Sequence, residues 1–125
     1  MKLEYINDWG NNSPLIRMYN GDQSDYKLLI NAIDQLLSKK NRKISIDSLH
    51  SFKSINNIRL EFVMTEFNSG LIQIAPHYFQ CMLNKAGWTK IKHLILPFLS
   101  NGENRFQWLD ETSDISLLLS DSGEW

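Results

Sequence analysis

Cysteine is all but missing from this chain. Cys81 stands alone among 125 residues, which excludes an internal disulfide framework and fits a reducing cytosol. Long apolar runs are missing too. No window approaches the roughly 18–20 apolar residues that a membrane-spanning helix needs. Met1-Lys2-Leu3-Glu4 opens the chain with no apolar run behind it, so we expect no signal peptide and a cytoplasmic location. Gly-rich turns opening a helix are lacking. The lone Gly21 is followed by Asp22, whose charge repels phosphate. There is no HxxxH and no CxxC, and Asp110–Asp114 lacks the alternating ligands, central glycine and closing glutamate of a calcium loop. Neither a metal nor any other cofactor is expected. No repeat, low-complexity tract or linker breaks the chain, so residues 1–125 are expected to form a single domain.

What is present is a globular composition, 42% hydrophobic and 22% charged, outside the disordered range. The charge is polarised along the chain. From Glu103 onward, six acids (Glu103, Asp110, Glu111, Asp114, Asp121, Glu124) face one base, Arg105, for a net of −5. The preceding residues hold eight acids and twelve bases, a net of +4. The overall balance of −1 hides this.

Hydrophobic spacing gives an α+β order. Short strands are expected at Leu3–Ile6 and Leu15–Tyr19, around a loop over Asn7–Pro14. Asp22 is a plausible N-cap, with Asp25 completing a carboxylate capping box. Tyr26, Leu29, Ile30, Ile33, Leu36 and Leu37 then make one apolar helical stripe. Lys39, Lys40, Arg42 and Lys43 follow, where cations complement the carbonyl end of a helix. Strands are expected at Ile44–Leu49, Asn57–Phe67, Leu71–Ala75 and Tyr78–Leu83. Asn68-Ser69-Gly70 should turn the third back onto the second. A second helix over Lys85–Leu99 buries Trp88, Ile91, Ile95 and Phe98, and Pro97 should loosen its last turn. Phe106–Leu109 and Ile115–Leu119 are expected as final strands, with Phe106 facing the core. Short strand-to-strand loops favour a mostly antiparallel sheet with two helices packed on one side.

Catalytic constellations are weak. Cys81 lies four residues from His77, but no local sequence resembles a thiol-enzyme signature, and a buried structural cysteine is the default. No enzymatic activity is expected. Lys39–Lys43 could contact a nucleic-acid backbone, yet no aromatic residues interleave to stack bases. A solvated helix end explains these residues more simply. The acidic end is the sharper feature, because carboxylates in a loop can attract a basic protein and occupy places where phosphates would sit. Asp110, Glu111, Asp114, Asp121 and Glu124 are the candidates, with the terminal Trp125 either packed back on the fold or serving as a partner-facing anchor.

Phe79, Cys81, Leu83, Gly87 and Trp88, then Pro97-Phe98, Gln107-Trp108-Leu109, and the closing LLLSDSGEW with Gly123 and Trp125 carry a recognisable pattern. It resembles a family of small bacterial proteins with the signature FxCxLTxxGW, PF, QWL and LLLSxxGxW. The chain departs from it with Gln80 before Cys81, where an acid often stands. In size, lack of catalytic residues and charge polarity, the sequence is also similar to immunity proteins (antitoxins) of contact-dependent growth inhibition and other polymorphic toxin systems. That resemblance implies a protein partner, the C-terminal domain of a cognate toxin and most simply a basic nuclease, bound over its active site.

Overall fold

A computed structural model describes residues 1–7 and 14–122. The elements run β1 (Lys2–Ile6), β2 (Leu15–Tyr19), α1 (Gln23–Leu37), β3 (Lys43–Ser45), β4 (Lys53–Ser54), β5 (Arg59–Met64), β6 (Gly70–Ala75), β7 (Tyr78–Leu83), α2 (Lys85–Ile95), β8 (Phe106–Asp110) and β9 (Ser116–Ser120). Short 3-10 turns occupy Ile55–Asn57 and Leu96–Leu99. Neither helix is long and apolar enough to cross a membrane.

The fold is α+β, with two sheets of mixed direction. One runs in the order β4-β1-β2-β9-β8 and the other β3-β5-β7-β6. Hairpin and near-neighbour pairs are antiparallel (β1 with β2, β3 with β5, β6 with β7, β8 with β9). Three pairs are parallel: β1 with β4, β2 with β9, and β5 with β7. The sheets are therefore mixed, where mostly antiparallel pairing was expected. The expected return of Leu71–Ala75 onto the preceding strand does not form either. β7 takes the place beside β5, and β6 lies outside it. Burial explains the exchange. Phe79, Cys81 and Leu83 of β7 are fully buried or nearly so, while β6 becomes exposed from Gln73 onward. The strand with the greater apolar demand takes the inner position.

Helix α1 starts at the capping box anticipated from its sequence. The Asp22 side chain accepts from the Asp25 backbone N–H at 3.1 Å, and the Asp25 carboxylate accepts from the Asp22 N–H at 3.0 Å. The same Asp25 carboxylate accepts from Ser51 Oγ at 2.5 Å and pairs with the Met1 amino group at 3.1 Å, tying three segments together. Tyr26, Leu29, Ile33 and Leu36 are buried along one stripe, with Ile30 and Leu37 half-buried beside it. The basic cluster is placed differently from the expectation. Helix α1 ends at Leu37 with no base in its last turn. Lys39 (φ 62°) and Lys40 lie in the turn beyond it, and Lys43 opens β3. That strand is only three residues long, because the chain turns away after Ser45, and Asp47 Oδ1 accepts from the Leu60 N–H at 2.9 Å.

Helix α2 is capped by Asn84, whose side chain accepts from Gly87 N–H at 2.9 Å. Pro97 ends the α-helical bonding, and Leu96–Leu99 tightens to a 3-10 turn. Trp88, Ile91, Ile95 and Phe98 all face the core. The two helices pack on each other and on the face of the four-stranded sheet that carries Leu60, Phe62, Phe79 and Cys81. A backbone bridge from Leu71 to Ile115 joins that sheet to the other. In the five-stranded sheet Leu3, Ile16, Met18, Leu117 and Leu119 join the same core.

Gly70 is required where it stands. Its φ is +77°, and a Cβ there would lie 2.9 Å from Asp110 Oδ2 and press on the Thr112 hydroxyl. Gly70→Ala combines a strained backbone with a clash, so we expect a loss of about 1–3 kcal/mol, read as a lower midpoint in denaturant unfolding.

Candidate functional site

The acidic end is built on the β8–β9 hairpin. Its register slips between Trp108 and Asp110, a bulge that ends the regular ladder before the connecting loop. The loop is fixed to the neighbouring sheet. Ser113 Oγ accepts from the Leu71 N–H at 3.1 Å and lies 2.7 Å from the Leu71 carbonyl oxygen. A serine side chain thus takes both backbone groups of an edge-strand residue and holds the loop at a set height.

This frame separates the acids into two groups. Asp110 is buried, 8% exposed, and accepts from Thr112 Oγ1 at 2.9 and 3.0 Å. Asp121 is occupied within the fold. It accepts from Arg105 Nε at 2.7 Å, from the Arg105 backbone N–H at 3.0 Å and from the Tyr26 hydroxyl at 2.6 Å. Burial alone would raise the Asp121 pKa, but the hydrogen bonds from Arg105 and Tyr26 outweigh it and hold the carboxyl below the usual range. Both carboxylates are engaged within the fold and offer a partner less than the sequence reading expected of them. Glu111 and Asp114 are exposed and have no ion pair among the described residues. Glu124 and Trp125 lie outside the described residues.

Beside the loop runs a groove of about 500 Å³ between α2 and β8. Ile91 and Leu94 of α2 form one wall, Trp108 and Leu109 the other, and Lys90 and Glu111 stand among its polar lining. At its end lies Asn68, next to Phe67, which is 75% exposed. Phe106, expected in the core, is 56% exposed on the same edge strand. β8 has β9 on one side only, so residues at its start lack a neighbouring strand to cover them. The groove escaped the sequence reading. Its walls come from segments far apart in sequence, which spacing within one segment does not bring together. The exposed Phe67 beside a turn was the one available signal.

The other candidates are not brought together. Cys81 is fully buried on the core face of β7, and burial pushes its thiol pKa well up. His77 is exposed in the turn before that strand. A buried thiol held protonated is a poor nucleophile. No group of three or more His, Cys, Asp or Glu placed to hold a metal ion occurs among the described residues. Lys39, Lys40, Arg42 and Lys43 are all exposed, and only Lys43 approaches a carboxylate, Glu61, at 3.8 Å.

Compared with protein-family models, with curated proteins and with solved structures, the chain matches none.

Proposed function

We propose that this chain is an immunity protein that binds a basic toxin domain, a nuclease, in the cytoplasm, and that Glu111 and Asp114 with the adjoining α2–β8 groove form the contact surface. One observation carries the reading. Glu111 and Asp114, with no ion pair among the described residues, are exposed on a loop pinned by Ser113 to the Leu71 backbone, and Glu111 lines a groove walled by Ile91, Leu94 and Trp108. A fixed loop loses little freedom on binding, and exposed carboxylates steer a cationic partner toward it. The groove offers a desolvated seat for one aliphatic or aromatic anchor, the kind of contact that dominates binding energy. The resemblance to immunity proteins of contact-dependent growth inhibition supplies the partner class.

The test is neutralisation in a bacterial host. The neighbouring gene is sequenced, and the C-terminal domain of a large effector found there is expressed with and without the chain; a neighbourhood with no such effector would count against the immunity reading. The wild type should restore growth, and Glu111→Lys/Asp114→Lys should not, while unfolding at the same temperature as the wild type. Lys39→Glu/Lys40→Glu should still protect. Full protection by the acidic-loop variant would remove this surface from the function. Failure of the wild type to protect would remove the immunity reading.

A further inference from the structure

The four-stranded sheet has a second face, turned away from both helices. Its centre is Glu61 of β5, only 6% exposed. Register sets Glu61 beside Gln80, Arg59 beside Tyr78 and Val63 beside Met82 across the β5–β7 pair, with Lys43 beside Val63 on β3. The Glu61 carboxylate accepts a short hydrogen bond from the Tyr78 hydroxyl and another from Gln80 Nε2 at 3.0 Å. The Arg59 guanidinium carbon stands 4.5 Å from the centre of the Tyr78 ring. Glu61 therefore fixes Tyr78, and Tyr78 gives Arg59 a platform. The Arg59 side chain makes no hydrogen bond among the described residues, so its planar set of N–H donors is held in place without an acceptor. The register puts a second exposed cation on this face, Lys43, two rows along from Arg59 and beyond the buried Glu61. Lys43 is 56% exposed, and Lys39, Lys40 and Arg42, all exposed, precede it in the chain. Val63 and Met82 leave a half-buried apolar strip beside Lys43, on the far side of the Glu61–Gln80 row from Arg59.

We propose that this face is a second docking surface, and that its occupant is an acidic protein segment. A carboxylate of that segment takes the Arg59 guanidinium by paired N–H bonds, and an aliphatic side chain covers Val63 and Met82. Charge complementarity selects the acid, and the apolar strip selects a protein over a nucleic acid. A single-stranded nucleic acid needs several open aromatic platforms beside its phosphate track. Here there is one ring, Tyr78, already covered by Arg59, with the Glu61 carboxylate beside it. The surface is separate from the acidic loop, so it stands whether or not that loop binds a toxin.

The test uses the isotope-labelled full chain at low ionic strength, titrated with a short peptide of alternating glutamate and valine and, separately, with an oligothymidylate. Amide shifts confined to β3, β5 and β7 on adding the peptide are expected. Arg59→Ala should weaken the peptide by about tenfold or more, the worth of a charge-assisted hydrogen bond, and Lys27→Ala, which removes an exposed cation from α1, should leave it unchanged. No shifts on these strands with the peptide would overturn the proposal. Shifts there with the oligonucleotide alone would overturn it in favour of a nucleic acid. Shifts on both this face and the acidic loop that grow with protein concentration would overturn it in favour of a second copy of the chain.

Discussion

Trp88→Ala is expected to lower stability by about 3–5 kcal/mol, the usual cost of removing a large buried ring. Trp88 is fully buried, its ring lies 4.7 Å from that of Phe62, and Nε1 donates to the Val63 carbonyl at 3.0 Å. The substitution empties the space between α2 and β5 and also leaves a buried carbonyl unanswered. Against a total stability of roughly 5–15 kcal/mol for a domain of this kind, such a loss removes a large fraction. Trp88→Phe separates the two contributions, since it restores most of the packing and none of the hydrogen bond. Denaturant unfolding should show Trp88→Ala with the lowest midpoint, Trp88→Phe between it and the wild type, and an unchanged slope. A loss under about 1 kcal/mol for alanine would mean that the α2–β5 packing described here is wrong.

The second large effect is at Arg105. Its guanidinium reaches Asp121 from Nε at 2.7 Å and Nη2 at 3.3 Å. It also donates to the carbonyls of Pro97 at 2.9 Å, Ser100 at 3.0 Å and Phe98 at 3.4 Å, and lies 4.8 Å from the Phe98 ring centre. One side chain therefore closes the 3-10 turn after α2, sharing the Pro97 carbonyl with the Ser100 N–H and the Phe98 carbonyl with Gln23 Nε2, and joins it to the end of β9. Arg105→Ala should cost about 2–3 kcal/mol, between the values for exposed and fully buried pairs, because Asp121 stays near Tyr26 without its cation.

The pH dependence gives this hub a second signature. The Asp121 pKa is lowered in the folded state, so its contribution is present above the unfolded value of about 3.9 and is lost as pH falls through the folded one. The gap in stability between wild type and Arg105→Ala should therefore narrow below about pH 4. Glu61 titrates in the same direction. Burial alone would raise its pKa, and the hydrogen bonds from Tyr78 and Gln80, then the Lys43 and Arg59 charges, hold it below the usual range. At the alkaline end, burial and then the Asp121 hydrogen bond push the Tyr26 pKa upward. Its contribution is complete below about pH 10 and is lost as pH rises through the folded value.

Local rules were legible in the sequence. The strands Leu15–Tyr19 and Tyr78–Leu83, the Asp22–Asp25 capping box, the positive φ at Gly70 and the break at Pro97 all follow from one or two neighbouring residues. Long-range choices were not. Whether β6 or β7 lies beside β5 depends on competition for the buried slot, which alternation within each strand does not disclose. The acids show the same limit. Six carboxylates look alike as a charge count, yet Asp121 is withdrawn from the surface by Arg105, 16 residues away, and by Tyr26, 95 residues away. Asp110 is withdrawn by local burial against Thr112. Glu111 and Asp114 are left exposed. Arg59 and Tyr78 likewise meet only through strand register.

In the proposed function Glu111 and Asp114 present a steering surface to a basic protein. Its most direct test is the rate of association with the toxin domain across ionic strength, for the wild type and for Glu111→Lys/Asp114→Lys. The double substitution should slow association about tenfold or more at low salt, with the difference shrinking as salt screens the pair. Equal rates for the two proteins at every ionic strength would contradict it.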